Sequence, residues 1–508
     1  MNLFPLDAQQ QPLATIKQGQ LAGTTTENIT TFKGIPYAAP PVGDLRWKAP
    51  QPAVAWQGTR QAVNFESACM QPGNPFTDVP GQTRSEDCLY LNVWSPATHQ
   101  DDALPVLVWI HGGGFSFGST AQAMFDGTEL AKKGVVFVSM AYRLGPFGFF
   151  AHPELSAETE HNGSGNYGLL DQIAALQWVQ DNIRQFGGNP DNVTIMGESA
   201  GAISVSLLVA SPLTRGLFHK AIAESGASFG NICSNGNDGQ SIKPLADAES
   251  LGAKFSQLVG AKSIEDLRAL PAQTVLERMP KLSAFVMQSS WPICDDYVIA
   301  GDPVTRYQSA QHNDTPVLIG SNAAEGSLFF YQESLDNYID LVKRSFGEHA
   351  ENILTAFPAE NDQQALISRQ NLFRDLVFAW HSWTWAKLQT QHGQGPVYSY
   401  YFNHTPPSFP NMPSLGPTHA AEMPYVFNLL PPPLAWRDND KQLAEQMSSY
   451  WINFAKNGDP NGEGLPAWPQ WNNQTQQVMH FNTHPCLGSV ANIDQLQAID
   501  DFFSDARK

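Results

Sequence analysis

The chain has 508 residues, of which 42% are hydrophobic and 15% charged, the composition of a large protein with a well-packed core. Its formal net charge is −19, from 48 acidic and 29 basic side chains, and no run is rich in lysine or arginine. This balance argues against nucleic acid or an anionic membrane as a partner. No stretch of eighteen apolar residues occurs, so we expect no membrane span.

The first strong pattern along the chain is a buried strand that runs into a glycine-rich loop. Residues 105–110 are continuously apolar, as in an interior parallel strand, and His111, Gly112, Gly113 and Gly114 follow directly. Glycines let backbone N–H groups face a ligand without side chains in the way. A loop of this HGGG type supplies oxyanion-hole donors in lipases and esterases, and an ordinary tight turn is the alternative.

The next segments alternate between strand and helix patterns. Residues 134–141 predict a buried strand, and apolar residues between 169 and 186 recur every three or four positions, as in an amphipathic helix. The sequence V-T-I-M at residues 193–196 predicts another buried strand. This succession predicts a doubly wound α/β architecture, with a mostly parallel sheet flanked by helices.

That third strand leads into Gly197-Glu198-Ser199-Ala200-Gly201, a G-x-S-x-G sequence followed by a helix of small residues. G-x-S-x-G between a strand and a helix is the nucleophile elbow, in which the serine sits on a very sharp turn. The incoming strand and outgoing helix nearly touch there, so positions 197 and 201 require glycine. We therefore predict that Ser199 is a nucleophile at a helix N-terminus that favours negative charge. Helix–sheet packing alone is the alternative explanation of the small residues.

Three further strands are predicted at 220–224, 315–320 and 397–402. The first ends at Ser225, the second precedes a loop with Glu325, and the third precedes a loop with His419. The segments 235–292 and 327–395 contain modest helices, and we predict that they are insertions that roof an active-site gorge in a single domain, 1–508. Three tryptophans at 380, 383 and 385 are expected to pack under this helical roof.

Residues 32–50, F-K-G-I-P-Y-A-A-P-P-V-G-D-L-R-W-K-A-P, and residues 85–94, S-E-D-C-L-Y-L-N-V-W, together with these motifs, resemble the type-B carboxylesterases. This group includes cholinesterases, bile-salt lipases and bacterial nitrobenzyl esterases, and the resemblance extends over most of the chain. It implies the α/β-hydrolase fold and hydrolysis of a small-molecule carboxylic ester through an acyl-enzyme intermediate. It implies no metal ion and no organic cofactor, and no motif for either occurs in the sequence.

The resemblance also assigns the residues of the site. It implies a triad of the nucleophile Ser199, the base His419 and the acid Glu325, in the order serine, acid, histidine of α/β-hydrolases. Asp295 and Asp296 are rival acids, but they precede the strand at 315–320 and so lie in the wrong loop. The implied oxyanion donors are the N–H groups of Gly113, Gly114 and Ala200. Supporting roles are implied for Glu198, Ser225 and Glu422, although Ser225 is also read as a plain turn residue and Glu422 is a third rival acid, too close to His419 in the chain.

Covalent and ionic contacts follow from the same resemblance. It implies a disulfide between Cys69 and Cys88, and it leaves Cys233, Cys294 and Cys486 unassigned. It also implies two ion pairs behind the site, Arg46 with Glu86 and Arg143 with Asp171. The disulfide favours a periplasmic or secreted protein whose signal peptide has been removed over a cytoplasmic one, and we expect a monomer or weak homo-oligomer.

Two other functions fit part of the pattern. A lipase for long acyl chains would use the same triad, and the resembled family also contains adhesion proteins that lost it. A site for a cationic choline group is disfavoured, because no tryptophan lies between Cys69 and Cys88 and Leu328 occupies one of the paired phenylalanine positions. The natural ester stays open. Because an imidazolium cannot act as a base, we expect activity to fall in acid with a midpoint near pH 6–7.

Overall fold

A computed structural model describes residues 3–75, 77–230, 242–279 and 291–507, and it is organised around a sheet that has eleven strands within those residues. The strands are β1 Thr24–Thr26, β2 Ile29–Pro36, β3 Tyr90–Ser95, β4 Leu104–Ile110, β5 Val136–Met140, β6 Gly188–Glu198, β7 Lys220–Glu224, β8 Val317–Asn322, β9 Val397–Phe402, β10 Gln477–Phe481 and β11 Cys486–Ser489. Their order across the sheet is β11-β10-β9-β8-β7-β6-β4-β5-β3-β2-β1. Strands β4 to β10 are all parallel to their neighbours in that group, and antiparallel strands complete both edges.

The interior strands are apolar on both faces because helices cover both faces. In β4, Val106, Val108 and Ile110 pack into one core, whereas Leu107 and Trp109 pack into the other. Alternate side chains of a strand point to opposite faces, so a strand covered twice is continuously apolar. The predicted doubly wound α/β architecture is confirmed.

The helices of the described residues surround this sheet. They are α1 Thr128–Lys132, α2 Gly145–Gly148, α3 Pro153–Ala157, α4 Tyr167–Asn182, α5 Ala200–Ala210, α6 Leu245–Val259, α7 Ile264–Arg268, α8 Ala272–Arg278, α9 Pro303–Gln308, α10 Leu335–Phe346, α11 Ala350–Ala356, α12 Asp362–Arg374, α13 Trp380–His392, α14 Met423–Val426, α15 Asp438–Asn457 and α16 Ile493–Asp505. None of them is long and apolar enough to cross a bilayer. In a three-stranded minor sheet, Gly19–Ala22 pairs with Leu13–Ile16 on one side and with Thr59–Gln61 on the other. Two further minor sheets pair Ala68–Cys69 with Arg84–Ser85 and Lys243–Pro244 with Ile293–Cys294.

The predicted boundaries differ from the observed ones where a local residue interrupts the hydrogen-bond pattern. Strands β7 and β9 have the predicted limits. Strand β8 starts two residues later than expected because Pro316 has no N–H to donate, and it ends two residues later because Ser321 and Asn322 still pair with β9. Strand β6 continues to Glu198, so Ser199 follows the sheet without a connecting loop. The predicted helix 169–186 is α4 followed by a 3₁₀ turn, Ile183–Phe186, which ends at Gly187 with a φ of 76°.

The two predicted insertions consist mainly of helices where they are described. Helices α6 to α8 belong to the first, of which residues 235–241 and 280–290 lie outside the described residues. Helices α10 to α13 belong to the second, and α12 and α13 are joined by a π turn, Asp375–Ala379. Trp380, Trp383 and Trp385 are buried, so the expectation that they pack inside the helical layer is confirmed.

The predicted cross-links of the outer loops are present. Cys69 and Cys88 form a disulfide, Cys486 is a free and exposed thiol, and Cys233 lies outside the described residues. Arg46 donates to both carboxylate oxygens of Glu86, at 2.7 and 2.5 Å, and also to the Leu270 carbonyl oxygen at 2.6 Å. This arginine therefore fastens the first insertion to the N-terminal loop.

The second ion pair is more deeply buried. Arg143 donates from Nε and Nη2 to the two carboxylate oxygens of Asp171 at 2.8 and 2.7 Å, and from Nη1 to the Lys48 carbonyl oxygen at 2.8 Å. Both charged side chains are almost inaccessible to water. The pair joins the loop after β5 to helix α4, so it braces the segments that lie under the candidate site.

Breaking this pair should destabilise the fold strongly. We expect Arg143→Met to lower the free energy of unfolding by about 3–5 kcal/mol, because it leaves the Asp171 carboxylate buried without its partner. The double variant Arg143→Met/Asp171→Leu should recover part of the loss, since it removes the unpaired charge. Urea titration of the two variants beside the wild type measures both effects. If Arg143→Met lowered the free energy of unfolding by less than about 1 kcal/mol, the pair would contribute no more to stability than a surface salt bridge does.

Candidate active site

The candidate site is built on the turn between β6 and α5. Ser199 is the only residue between them, and its φ of 56° and ψ of −123° lie in a region that residues with a Cβ atom rarely adopt. A Cβ atom on Gly197 would lie 2.4 Å from the carbonyl carbon of Gly201, and one on Gly201 would lie 2.0 Å from the Ile110 oxygen. The predicted need for glycine at these two positions is confirmed.

Three polar side chains from separate strand ends meet at this turn. Nε2 of His419 lies 2.8 Å from Oγ of Ser199, and Nδ1 lies 2.6 Å from Oε2 of Glu325. Glu325 has no exposed surface, and the His419 side chain is 9% exposed. The loops after β6, β8 and β9 contribute these residues, and the carboxyl ends of parallel strands lie at one edge of a sheet, where ligands of open α/β sheets bind.

Residue Asn322, at the end of β8, organises the acid loop. Its backbone N–H donates to Oε1 of Glu325 at 2.8 Å, and its side-chain amide donates to the Thr418 carbonyl oxygen at 2.9 Å and to Glu422. Asn322 and Ser327 both lie within three residues of Glu325, but only Asn322 donates to its carboxylate. Ser327 instead donates to carbonyl oxygens of its own loop and of the loop before His419, so it joins the two loops.

The glycine-rich loop after β4 lies against the elbow. A Cβ atom on Gly112 would lie 2.7 Å from the carbonyl oxygen of Glu198, so the two backbones pass in close contact. Gly113 has a φ of 102°, and a Cβ there would lie 2.0 Å from the Phe117 oxygen. Within the described part of the chain, the N–H groups of Gly113, Gly114 and Ala200 donate no hydrogen bond, which leaves them available to a ligand. Ala200 is also the first residue of α5, where N–H groups are free of helical partners.

Behind the serine lies a group of buried carboxylates. Oε1 of Glu198 is 3.2 Å from Nε2 of His419, a close charge contact without hydrogen-bond alignment. Glu422 accepts from the Ser225 hydroxyl at 3.5 Å, so these two side chains contact each other. Glu224, at the end of β7, is also fully buried, and its Oε1 accepts from Nε1 of Trp451 at 2.9 Å.

The sequence analysis missed Glu224, although a signal was present. The strand Lys220–Glu224 reads K-A-I-A-E, and a carboxylate at the carboxyl end of an otherwise apolar interior strand is unusual. Its partner Trp451, on α15, has no such local signal. Among the rival acids, Asp295 accepts three backbone N–H groups of its own loop, from Tyr297, Val298 and Ile299. Its carboxylate is therefore occupied away from His419.

Burial of these groups shifts their acid–base equilibria. Burial raises the pKa of Glu198 to about 7 and that of Glu422 to about 8. Burial raises the pKa of Glu224 well above its usual range too, and the nearby Glu422 adds to the rise. Burial by itself would lower the pKa of His419, but the carboxylates of Glu198 and Glu325 outweigh it and raise this pKa to about 9.

Comparison with solved structures defines the class of protein. A para-nitrobenzyl esterase (PNB esterase) superposes with a TM-score of 0.82 at 33% identity, covering 96% of this chain and 99% of the other. A thermophilic PNB esterase superposes with a TM-score of 0.84 at 32% identity and the same coverage. The predicted class is confirmed: the fold is that of the α/β-hydrolases.

Sequence comparison then gives the family. The chain belongs to the carboxylesterase family, whose sequence model matches residues 10–500. It is 36% identical to the fumonisin B1 esterase of Sphingopyxis macrogoltabida, over 93% of this chain and 86% of that protein. It is 36% identical to the para-nitrobenzyl esterase of Bacillus subtilis (strain 168), over 92% and 94%, and 34% identical to the cocaine esterase of Homo sapiens, over 96% and 90%. The protein is accordingly a carboxylic-ester hydrolase, and the resemblance inferred from its motifs is confirmed.

Proposed function

We propose that the protein is a serine carboxylesterase in which Ser199, His419 and Glu325 form the catalytic triad. The observation that carries this proposal is the continuous contact from Oε2 of Glu325 to the imidazole, 2.6 Å, and from the imidazole to Oγ of Ser199, 2.8 Å. A serine hydroxyl is a weak nucleophile unless a base takes its proton, and the base must present an unprotonated nitrogen. Glu325 holds the proton on Nδ1, so Nε2 is free to accept one.

The reaction would proceed in two acyl-transfer steps. Oγ of Ser199 attacks the ester carbonyl carbon while its proton passes to Nε2 of His419. The negative charge moves to the carbonyl oxygen, where the free N–H groups of Gly113, Gly114 and Ala200 stabilise it. When the carbonyl re-forms, the C–O bond to the alcohol breaks and the alkoxide takes the proton from Nε2. A water molecule then gives a proton to Nε2 and attacks the acyl carbon. When the carbonyl re-forms, the bond from the acyl carbon to Oγ breaks, Oγ takes the proton from Nε2, and the carboxylic acid is released.

Aromatic side chains around the triad favour an uncharged, apolar or aromatic ester. The ring centroids of Phe329 and Phe378, from the second insertion, lie 5.4 and 4.6 Å from that of His419. From the first insertion, Trp291 lies 5.0 Å from Phe115, the residue after the oxyanion loop. These contacts support the proposal that both insertions of the single domain roof the site. Para-nitrobenzyl and para-nitrophenyl esters are therefore the substrates of first choice.

Covalent labelling tests the proposed nucleophile. We expect a fluorophosphonate to inactivate the enzyme with one adduct per chain, on the tryptic peptide that contains Ser199, and to leave Ser199→Ala unlabelled. Rates across para-nitrophenyl esters from acetate to palmitate then define the acyl preference. Rates that peak at long chains and rise above the micellar concentration would identify a lipase. An adduct on another residue would refute the assignment of Ser199.

We expect kcat/KM to fall in acid at a higher pH than the midpoint of about 6–7 predicted from the sequence. Activity falls as the pH falls through the pKa of His419, because the imidazolium cannot take the proton of Ser199. Since Glu198 and Glu325 raise that pKa, the expected midpoint near pH 6–7 is revised upward. In Glu198→Gln one negative charge 3.2 Å from Nε2 is removed, so the limb of kcat/KM should move to lower pH by about 1 unit or more.

Paired pH profiles of kcat/KM from pH 5 to 10 measure this difference. Glu445→Gln is the matched control, because Glu445 is exposed and pairs with Lys133 at the surface. Its profile should coincide with that of the wild type. An unchanged or raised midpoint in Glu198→Gln would show that the Glu198 charge does not act on His419.

The proposal also covers the cellular location of the protein and its oligomeric state. The disulfide Cys69–Cys88 supports an oxidising compartment, the periplasm or the cell exterior, because cytosolic thiols are kept reduced. We also propose a monomer or weak homo-oligomer that needs neither metal nor organic cofactor. Fractionation of the native host and light scattering of the purified enzyme test these two points.

A further inference from the structure

The second insertion contains an irregular turn that touches the triad. Helices α12 and α13 are joined by the π turn Asp375–Ala379, and turns of this type inside helices occur frequently at functional sites. The ring of Phe378, within the turn, stacks on the imidazole of His419, with centroids 4.6 Å apart and planes inclined by 24°. In an uninterrupted α-helix each residue is rotated by about 100° from the last, so the added residue of the turn determines which way this ring points.

A buried ion pair fixes the turn to the loop of the triad acid. Arg374 donates from Nε and Nη2 to the two carboxylate oxygens of Asp375, both at 2.7 Å, and Asp375 has no exposed surface. Nη1 of Arg374 donates to the Ala323 carbonyl oxygen at 3.1 Å, within the loop between β8 and Glu325. In addition, a Cβ atom on Gly326 would lie 2.3 Å from the Gln370 oxygen, so α12 and the acid loop are in direct backbone contact.

The imidazole of His419 needs such a support. Its two hydrogen bonds, to Glu325 and Ser199, both lie near the plane of the ring and restrain rotation out of that plane only weakly. Of the two phenylalanines that contact it, Phe329 is tilted by 51° to the ring and is 40% exposed, whereas Phe378 stacks on the ring and is 4% exposed. Phe378 is therefore the buried, stacked contact, and the same π turn that holds it is anchored to the acid loop.

We propose that Phe378 is a positioning residue that keeps the His419 imidazole aligned between Glu325 and Ser199, and that the π turn Asp375–Ala379 sets its ring in place. This proposal rests on the proposed function, since it concerns the base of that reaction. In this proposal the second insertion, residues 327–395, positions the catalytic base as well as covering the site. Misplacement of a reacting group by about 1 Å can cost about 100-fold in rate, so loss of the ring should be visible in kcat.

The test compares Phe378→Leu with Phe346→Leu. Phe346 lies in the same insertion and is also 4% exposed, but its ring packs on Phe502, with centroids 4.9 Å apart. We expect Phe378→Leu to lower kcat for para-nitrophenyl acetate about 10- to 100-fold with little change in KM, and the control to keep both constants. Phe378→Met, which keeps bulk without a planar ring, should lose kcat as well, whereas Phe378→Tyr should restore most of it.

A second readout follows the imidazole directly. The Nδ1 proton in the 2.6 Å bond to Glu325 should give a strongly downfield NMR resonance in the wild type and in Phe346→Leu. It should broaden or disappear in Phe378→Leu and Phe378→Met, because the ring is no longer held. Thermal midpoints of the leucine variants equal to that of the wild type confirm that the fold is retained. If Phe378→Leu does not fold, the methionine and tyrosine variants test whether the Phe378 ring positions His419.

Three results would overturn the proposal: wild-type kcat and resonance in Phe378→Leu and Phe378→Met, a rise in KM alone, or equal losses in the Phe346 control. A rise in KM alone would make the ring a wall of the substrate pocket. Failure of the proposed function is distinguishable, since Ser199→Ala would then keep its activity while the resonance of His419 still reports whether Phe378 holds the ring.

Discussion

Replacing Ser199 with alanine should lower kcat for ester hydrolysis by about 10⁶-fold, the loss seen when the serine of a comparable triad is removed. In the proposed mechanism Oγ of Ser199 forms the acyl bond, so in this variant His419 and the oxyanion donors would have no nucleophile to assist. Its fold should be unchanged, since alanine keeps the Cβ atom and adds no strain to the φ of 56° at this position. Rates with para-nitrophenyl acetate, together with thermal midpoints, measure both expectations.

The matched control is Ser204→Ala, five residues further along. Ser204 is also fully buried in α5, but its hydroxyl accepts from Gln172 at 3.1 Å and does not contact His419. We expect this variant to keep kcat and to lose stability by about 1–3 kcal/mol, because the Gln172 amide is left without its partner. If Ser199→Ala lost less than about 100-fold in kcat, another residue would be the nucleophile, because the oxyanion donors alone account for only a small residual rate.

Much of the site could be predicted from the sequence because its parts are local. The steric conflict that requires Gly197 arises between segments adjacent in the chain, and the position of Glu325 shortly after β8 follows from counting along one loop. Gly201 is required by its contact with Ile110 of β4, which is distant in the chain. The buried strands were recognisable from local sequence, since a strand covered on both faces is apolar at every position. Even the late start of β8 has a local cause in Pro316.

Other features depend on contacts between segments far apart in the chain, and no local pattern specifies them. Arg374 reaches the acid loop 51 residues earlier, and Phe378 meets His419 only because a π turn adds one residue between two helices. The pKa of His419 depends on such contacts in the same way. An isolated imidazole predicts a midpoint near its ordinary value, whereas the facing carboxylate of Glu198, known only from the folded geometry, raises it.

The second large loss of activity is expected when the proposed triad acid, Glu325, is replaced. We expect Glu325→Gln to lower kcat by about 10⁴-fold with the fold intact, as for the corresponding aspartate-to-asparagine change in another triad. The backbone N–H of Asn322 donates to Oε1 of Glu325 at 2.8 Å, so a glutamine would keep its amide oxygen there and direct its NH₂ group at Nδ1 of His419. Because two donors cannot face each other, the ring would move its proton to Nε2, the nitrogen that must accept the proton of Ser199.

Asp295→Asn is the control, because it makes the same change of charge in a rival acid. The Asp295 carboxylate accepts the N–H groups of Tyr297, Val298 and Ile299 through Oδ1, and an asparagine oxygen can accept the same three. This variant should therefore lose less than about tenfold in kcat, since no group that contacts the triad changes. Measured side by side on para-nitrophenyl acetate, the two variants rank the acids directly. A larger loss in Asp295→Asn than in Glu325→Gln would transfer the role to Asp295 and would mean that the 2.6 Å contact of Glu325 with His419 does not fix the tautomer.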